Sequence, residues 1–536
     1  MNPTRDPSPW LEGISISSAP LVTDSEFDVA VIGAGITGLT AAHQLCRQGQ
    51  RVIVLERGTV GHGESGQTTA HLSARPDLDL SELIERFGEQ AVRRVWQGGM
   101  EAIKHIEEVC ELEQIDAHFA RVEGWLIARD KDGRQTVDDE SQALKRLGVA
   151  HEIAHGPIRA ERAVRIPDQA RFHLGRYLEG LARATTAHGA VICEHAAVVS
   201  MTGGRPHRLE VSDPSNSQAD APSLGTVLAK RVIVATHVPI WTHYLVLDKL
   251  KPSQTYVIAA KVAVGSAPDA LIDDTEDPYH YYRLEPNGDH DLVIFGGKDH
   301  PTGASEDSNG GPITDRYQDL ERELGAWLPE VEFEVTHRWS GEVWASLDGL
   351  PYIGPDLTPA PERFIATGYD GVGMTFGTLA GLMAADWAAG REHVDADLYA
   401  PSRLAMRDVG SVMGQGLGYV KQLLGDKIGD KIGDKIGGLI GGAKESTGPS
   451  GANEIAPGQG AIIDLPKLGK VAASRNDDGT LLEVSAVCSH AGCTVVWNPM
   501  DRSWDCPCHG SRFAPTGEVL AGPAVHPLKT LEQIKD

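Results

Sequence analysis

The sequence predicts an α/β domain of the dinucleotide-binding kind at one end and a small metal-binding module at the other. Two observations carry this. FDVAVIGAGITGLTAAHQLCRQGQRVIVLERG, residues 27–58, runs from an apolar strand through a glycine turn and a helix into a second strand. CSHAGCTVVWNPMDRSWDCPCHGSRF, residues 488–513, gathers four of the chain's seven cysteines with two histidines. At 536 residues the chain exceeds one ordinary domain and can bury at least two cores. Acidic residues outnumber basic ones by 75 to 49, a formal charge of −26, which speaks against nucleic acid or an anionic membrane as partner.

Residues 1–25 read as an N-terminal extension. Its start, MNPTRDPSPWLEG, lacks the basic-then-apolar order of a signal peptide, and no apolar run approaches the ~18 residues of a membrane helix. The expectation is a soluble, cytoplasmic protein without a transmembrane segment. Cys46, Cys110 and Cys193 are scattered singly, as packed core thiols would be.

The first unit starts with a strand over Phe27 to Ile32. Gly33-x-Gly35-x-x-Gly38 turns into a helix, and a second strand, Arg51 to Leu55, ends at Glu56. This is a βαβ unit: the glycines let backbone N–H groups approach a pyrophosphate at the helix N-terminus, and Glu56 is placed to accept hydrogen bonds from a ribose.

Three further stretches point to FAD over NAD. Gly61 to Ser73 offers small residues and hydroxyls, Thr68 and Thr69 among them, although a plain polar loop would look the same. Lys230 to Trp241 is an apolar strand running into an Ala-Thr turn at Thr236. In Asp348 to Gly381, a strand over Arg363 to Thr367 leads through Gly368, Gly371 and Gly373 into a small-residue helix, where backbone amides, with Met374 and Thr375, can face a flavin. Arg57, beside Glu56, joins the expected cofactor contacts.

Over residues 26–391 the chain resembles the D-amino acid oxidase and glycine oxidase family of FAD-dependent oxidoreductases, specifically at its two ends and little in its middle. The resemblance implies an α/β FAD-binding Rossmann-like domain over 26–400, assembled from segments near 26–75, 190–250 and 335–395. An α+β substrate domain would be inserted between them. Gln254 to Gly265 and Asp291 to Gly303 read as strands of that inserted sheet. Tyr256, Tyr281, Tyr282, Arg283, Lys298, His300, Arg338 and Trp339 are available to line a substrate face. By analogy with amine-oxidising relatives an arginine pairs a substrate carboxylate, and Arg283 is the first choice, with Tyr256 and Trp339 as further catalytic candidates. His237 and His243 read as ordinary loop histidines.

Residues 401–450 form a linker in which GDKI occurs three times. Ile428, Ile432 and Ile436 then fall on a slowly drifting helical stripe, and the recurring glycines, at ~1 kcal/mol each against alanine, leave such a helix marginal. KESTGPSGANEIAPGQG continues as a flexible tether.

The metal-binding stretch pairs Cys488-x-His490 with Cys506-x-x-His509. A zinc ribbon would use two C-x2-C pairs, so zinc or a set of buried structural cysteines stays open but is the weaker fit. Two thiolates and two imidazoles are the ligand set of a Rieske [2Fe–2S] centre. With the C-x-H-x-G-C box, the C-P-C-H-G-S box and Gly522-Pro523-Ala524, residues 452–531 resemble the Rieske family, which implies a C-terminal all-β Rieske domain over 451–536. Cys493 and Cys508 fall one in each ligand loop, and a disulfide between them would clamp the loops around the cluster. Quinol-oxidising members of that family usually carry a tyrosine where this chain has Phe513, whereas Ser511 keeps the other expected hydrogen bond.

No second glycine-turn unit appears, so no NAD(P)H domain is expected, and no region reads as a mononuclear iron domain. Electrons should enter from a small organic substrate, an amine or amino acid oxidised at its C–N bond. They would pass singly from FAD through the cluster to an external acceptor. The alternatives are reverse flow, with the cluster fed by a redox partner, and a non-catalytic redox sensor.

Overall fold

The computed structural model describes residues 8–535 except 17, 24, 215–222, 242–243, 305–314, 359–361, 404–450 and 466–467. The GDKI repeat and His243 therefore lie outside the described residues.

The strand β1 (Glu26–Ile32), the helix α1 (Ile36–Arg47) and the strand β2 (Val52–Leu55) form as expected. In β1 every residue from Val29 to Ile32 is buried, because a central strand of a parallel sheet is covered on both faces. β1 pairs in parallel with β2 on one side and with Ser223–Val234 on the other. Val191–Cys193 extends the sheet beyond β2; Arg363–Thr367 and then Tyr352–Pro355 extend it past Ser223–Val234. The two helices that open on the glycine turns, α1 and Gly373–Ala388, pack together: a Cβ at Gly381 would lie 2.6 Å from Thr40 Cβ. Thr37 and Tyr369 hydroxyls meet at 3.0 Å across that seam.

A second, larger sheet is built from the middle of the chain. Its order runs Glu334–Ser346, Leu250–Val262, His290–Pro301, His280–Asn287, Ala270–Asp274, Ala120–Ala128, Arg162–Arg171 and His71–Leu72. The N-terminal extension is not peripheral where it is described. Pro9–Leu11 is a buried turn of helix, and Trp10 donates its indole N–H to Thr68 O at 2.6 Å. Cys46, Cys110 and Cys193 are free and buried, and burial pushes their thiols up to about 11, 12 and 11.

Residues 460–521 contribute two small antiparallel sheets. One holds Gly460–Leu465, Gly469–Arg475 and Leu481–Ser485; the other holds Val496–Asn498, Ser503–Asp505, Arg512–Phe513 and Val519–Ala521. Their shared core includes Cys488, Cys493, Trp504, Cys506 and Phe513. This module docks on the rest of the chain. Ser340 Oγ donates to Asp501 Oδ1 and Oδ2 at 2.7 and 2.6 Å, and buried Arg512 holds the same carboxylate at 2.5 Å. A Cβ at Gly510 would stand 2.6 Å from Trp344 Cζ2, so the second cysteine-histidine loop sits directly on the second sheet.

Candidate functional site

One cleft runs between the two large sheets. It is lined by Gly33, Gly35, Glu56, Arg57, Thr68 and Thr69, and by Thr236, Gly371, Gly373 and Met374. These are sequence-predicted positions from segments far apart in the chain. Each glycine at the first turn has a steric reason. A Cβ at Gly35 would meet Ser65 Oγ at 2.6 Å, and one at Gly38 would lie 2.0 Å from Gly33 O, so the helix could not sit so close to the strand. Gly38 therefore serves packing and is not on the cleft wall. The Glu56 carboxylate is fixed by the Ala34 and Gly58 N–H groups, both at 2.7 Å. Thr375 lies behind Met374, off the wall, with its hydroxyl buried and without a hydrogen-bond partner among the described residues. The glycine turn at a helix N-terminus, the fixed acid and a long cleft together fit a dinucleotide.

The three catalytic candidates are corrected by their surroundings: none lines the cleft. Arg283 is fully buried and ion-paired with Glu285; its Nη1 donates to Ala70 O at 2.8 Å and Phe172 O at 3.0 Å, and its guanidinium lies 5.0 Å from the Trp10 ring centre. It is a packing cation that ties the N-terminal segment to the second sheet, and burial pulls it down to about 10. Tyr256 is sealed in a core, its hydroxyl 2.9 Å from His300 Nε2. Trp339 is also buried, donating to Gln67 O at 3.0 Å. Of the other residues offered for a substrate face, Tyr282 donates to Pro268 O at 2.9 Å and Arg338 pairs with Glu321 at 3.4 Å; Tyr281 alone reaches the cleft.

Other groups line the cleft instead. His71, Arg75, Asp77, Asp273, Tyr279, Asp299 and Asp370 face it from the second sheet, the connections that flank its strands and the turn before Gly373–Ala388. Burial pushes the His71 imidazole down to about 3, with Arg283 adding to the effect, so it is neutral. Burial raises Asp273 and Asp299 to about 7, and raises Asp370 far above the carboxylate range, with Asp77 close by as the next cause. His237, read as an ordinary loop histidine, lines the cleft with its backbone at φ 65° and its Nε2 buried without a partner among the described residues. These residues carry no local motif, which is why spacing did not find them. Tyr279 and Asp370 sit within the stretches PYHYYR and GYDGVG, and only the fold brings them together.

The cysteine-histidine loops of the C-terminal module converge as well. Cys488 and Cys506 are buried, and the His490 and His509 rings stand edge-on with centres 4.9 Å apart. Cys493 and Cys508 are joined by a disulfide with Cα atoms 6.5 Å apart. The Cys506 thiol beside it pulls Cys488 down to about 7, helped by the His490 and Ala491 N–H groups and the Ser511 hydroxyl, against the opposing pull of burial. Burial holds His490 below the usual imidazole range and His509 at about 4. The Cys488 sulfur, with burial, raises Cys506 well above the ordinary thiol range, so the two sulfurs share one proton that a bound cluster would displace. Two thiolates with two neutral imidazoles are what an iron–sulfur ligand set needs. Residues 488, 490, 506 and 509 would hold such a cluster. The following loop closes the cleft described above: Leu520, Ala521, Gly522, Ala524 and Val525 form part of its wall, and Arg57 Nη2 donates to Leu520 O at 2.7 Å.

Comparison with known proteins agrees with both halves. Residues 28–387 match the family model for FAD dependent oxidoreductases, and residues 454–532 match that for the Rieske [2Fe-2S] domain. The chain is 28% identical over 529 residues to the Bacillus subtilis (strain 168) protein YhfW, which is named as a Rieske 2Fe-2S iron-sulfur protein, covering 98% of this chain and 97% of that one. It is 26% identical over 390 residues to the gamma-glutamylputrescine oxidoreductase of Escherichia coli (strain K12), covering 68% and 84%. Over 71% of this chain the fold is similar to that of glycine oxidase from Geobacillus kaustophilus, with a TM-score of 0.56, 20% identity and 99% of that chain covered. Among the described residues no helix is long and apolar enough to cross a membrane. FAD and a [2Fe–2S] cluster are the cofactors these two parts bind. The chain belongs to the FAD-dependent oxidoreductase family and carries a Rieske [2Fe–2S] domain at its C-terminal end.

Proposed function

We propose that the chain oxidises a small amine at the cleft and delivers the electrons, one at a time, to the Rieske domain and then to an external one-electron acceptor. The observation that carries this reading is the shared wall, where residues 520–525 of the cluster module line the same cleft as the glycine turn. FAD supplies acceptance of two electrons from a C–H bond next to nitrogen and their release singly, and the cluster takes up one. In our reading Gly33, Gly35, Glu56, Arg57, Thr68, Thr69, Thr236, Gly371, Gly373 and Met374 hold the dinucleotide. Cys488 and Cys506 would hold one iron, and His490 and His509 the other. The substrate loses two electrons and two protons and leaves as an imine.

The chain's own groups would orient the amine and keep water out. The second sheet supplies a polar floor through Thr255 and Tyr281, whose hydroxyls lie 2.5 Å apart. The 520–525 segment supplies a cover, tied through Leu520 to Arg57, and the module that carries it is fixed separately through Ser340 to Asp501. Similarity to an enzyme named gamma-glutamylputrescine oxidoreductase supports an amine-bearing substrate. The absence of a second glycine-turn unit in the sequence supports entry of electrons from the substrate.

Anaerobic mixing with candidate amines tests the reading. The expected result is loss of flavin absorbance followed by the electron paramagnetic resonance signal of a reduced Rieske centre. Flavin bleaching with no cluster signal would break the proposed route, and no bleaching by any amine would remove amine oxidation from it.

A further inference from the structure

We infer that the substrate is a small amine with a second cationic centre and no carboxylate, held by Asp77 and Asp299 beside the Tyr279–Tyr281 pair. This rests on the amine-oxidation reading above and narrows it.

The cleft is acidic where the second sheet meets the Gly373–Ala388 helix. Asp77, Asp273, Asp299 and Asp370 all line it. Tyr279 donates its hydroxyl to Asp77 Oδ1 at 3.0 Å, and the Asp77 carboxylate and the Tyr279 hydroxyl both crowd Gly371, lying 2.9 and 2.8 Å from where its Cβ would be. Asp299 Oδ1 is buried at the wall with no hydrogen-bond partner among the described residues. A buried carboxylate oxygen without a donor is unfavourable unless a ligand supplies one. Tyr279 and Tyr281 stand with ring centres 5.6 Å apart, and His71 meets Tyr281 edge-on at 6.0 Å. Two tyrosine rings beside carboxylates are the surroundings in which an alkylammonium is favoured.

The arginines of the wall are committed elsewhere. Arg75 pairs with Glu140 at 2.6 Å and Asp79 at 3.0 Å and stands 4.0 Å from Asp273, so it already answers that acid, and Arg57 reaches the backbone carbonyl of Leu520. A carboxylate entering here would face Asp77 and Asp299 with no arginine set apart for it, Asp370 being raised far above the carboxylate range by burial beside Asp77, whereas a dication would find a partner in each. Burial holds Asp273 and Asp299 at about 7 before a cation enters. The charged groups facing them are Arg75, Asp77, Asp274 and Asp370, with the Thr255 hydroxyl bonded to Asp299 and Tyr279, Tyr281 and His71 beside them, so a cation drives both towards the ionised form and releases protons.

The test uses three ligands of similar length on the oxidised holoenzyme: 1,4-diaminobutane, n-butylamine and 4-aminobutanoate. Dissociation constants are read from the flavin absorbance change and by calorimetry in two buffers of different ionisation enthalpy. We expect 1,4-diaminobutane to bind at least tenfold tighter than n-butylamine and at least a hundredfold tighter than 4-aminobutanoate, with protons released near pH 7. Asp299→Asn, and separately Asp77→Asn, should cut the diamine-to-monoamine preference at least fivefold, with FAD content and thermal unfolding checked in each. The wild-type series decides the matter if either variant fails to fold. Binding of 4-aminobutanoate as tight as the diamine, equal binding of the monoamine, or an unchanged preference in both folded variants would overturn the inference. Flavin reduction is read separately: tight diamine binding without bleaching would sink amine oxidation and leave the cation preference standing. Bleaching by amino acids with weak diamine binding would do the reverse.

Discussion

Arg283 shows how a charged residue in a strand can be read two ways. Its guanidinium satisfies the carbonyls of Ala70 and Phe172 and pairs with Glu285, itself 2% exposed. Replacing it with leucine leaves that acid buried without its main partner and frees the carbonyls, a loss of about 3–5 kcal/mol. Thermal unfolding of Arg283→Leu should therefore start well below wild type while the folded fraction keeps its affinity for substrate amines. A variant of full stability that had lost only substrate affinity would restore the residue to the site. Phe513 makes a different case. It is fully buried in the core that holds Cys488 and Cys506, and it offers the cluster region no hydroxyl. Hydrogen bonds that favour the reduced cluster raise its potential. Phe513→Tyr should raise it by about one charge-assisted hydrogen bond, ~1.5 kcal/mol or roughly 65 mV for one electron. Protein-film voltammetry on the full chain measures both forms, and an unchanged or lower value would mean residue 513 does not face the cluster.

At the scale of elements, the βαβ unit and the docked loop do separate work. The α1 N-terminus meets the cleft only because Gly35 presents no side chain to Ser65, whose Oγ accepts the Ile36 N–H at 3.0 Å. Gly35→Val should empty the dinucleotide end by filling it. The cysteine-histidine loops belong to their own small sheets with their own core, so that variant should keep its iron. Absorbance and metal analysis of the purified variant decide this: stoichiometric FAD in Gly35→Val would show that the cofactor lies elsewhere. The second sheet acts as a platform for both partners. One of its strands, Leu250–Val262, carries Thr255 and Val257 at the cleft, and its neighbour Glu334–Ser346 carries Ser340 at the docking contact with Asp501.

At the scale of the whole molecule, two cofactor sites share one wall, so loss of one need not empty the other. Purified protein should contain two iron atoms and one FAD per chain. His509→Ala should abolish the Rieske spectrum, leave the flavin absorbance in place, and slow reduction of a one-electron acceptor while amines still bleach the flavin. Zinc in place of iron would remove the cluster, and with it the proposed exit for electrons.

What the sequence by itself determined is what short-range chemistry encodes. The glycine turn, the strand ending in Glu56 and the two cysteine-histidine boxes each complete their signature within about thirty residues, and both families follow from them. Strands such as Arg363–Thr367 were legible as apolar runs beside a glycine turn. The acidic part of the cleft was not legible, because Asp77, Asp273, Asp299 and Asp370 come from distant segments and each alone looks like a solvated surface acid. The same limit misassigned Arg283: whether a buried cation faces a substrate or a neighbour's carbonyls depends on what lies across the sheet, here Trp10 from the start of the chain. Only the tertiary structure decided that residues 520–525 close the cleft, since burial and electrostatics act between surfaces that sequence distance does not relate.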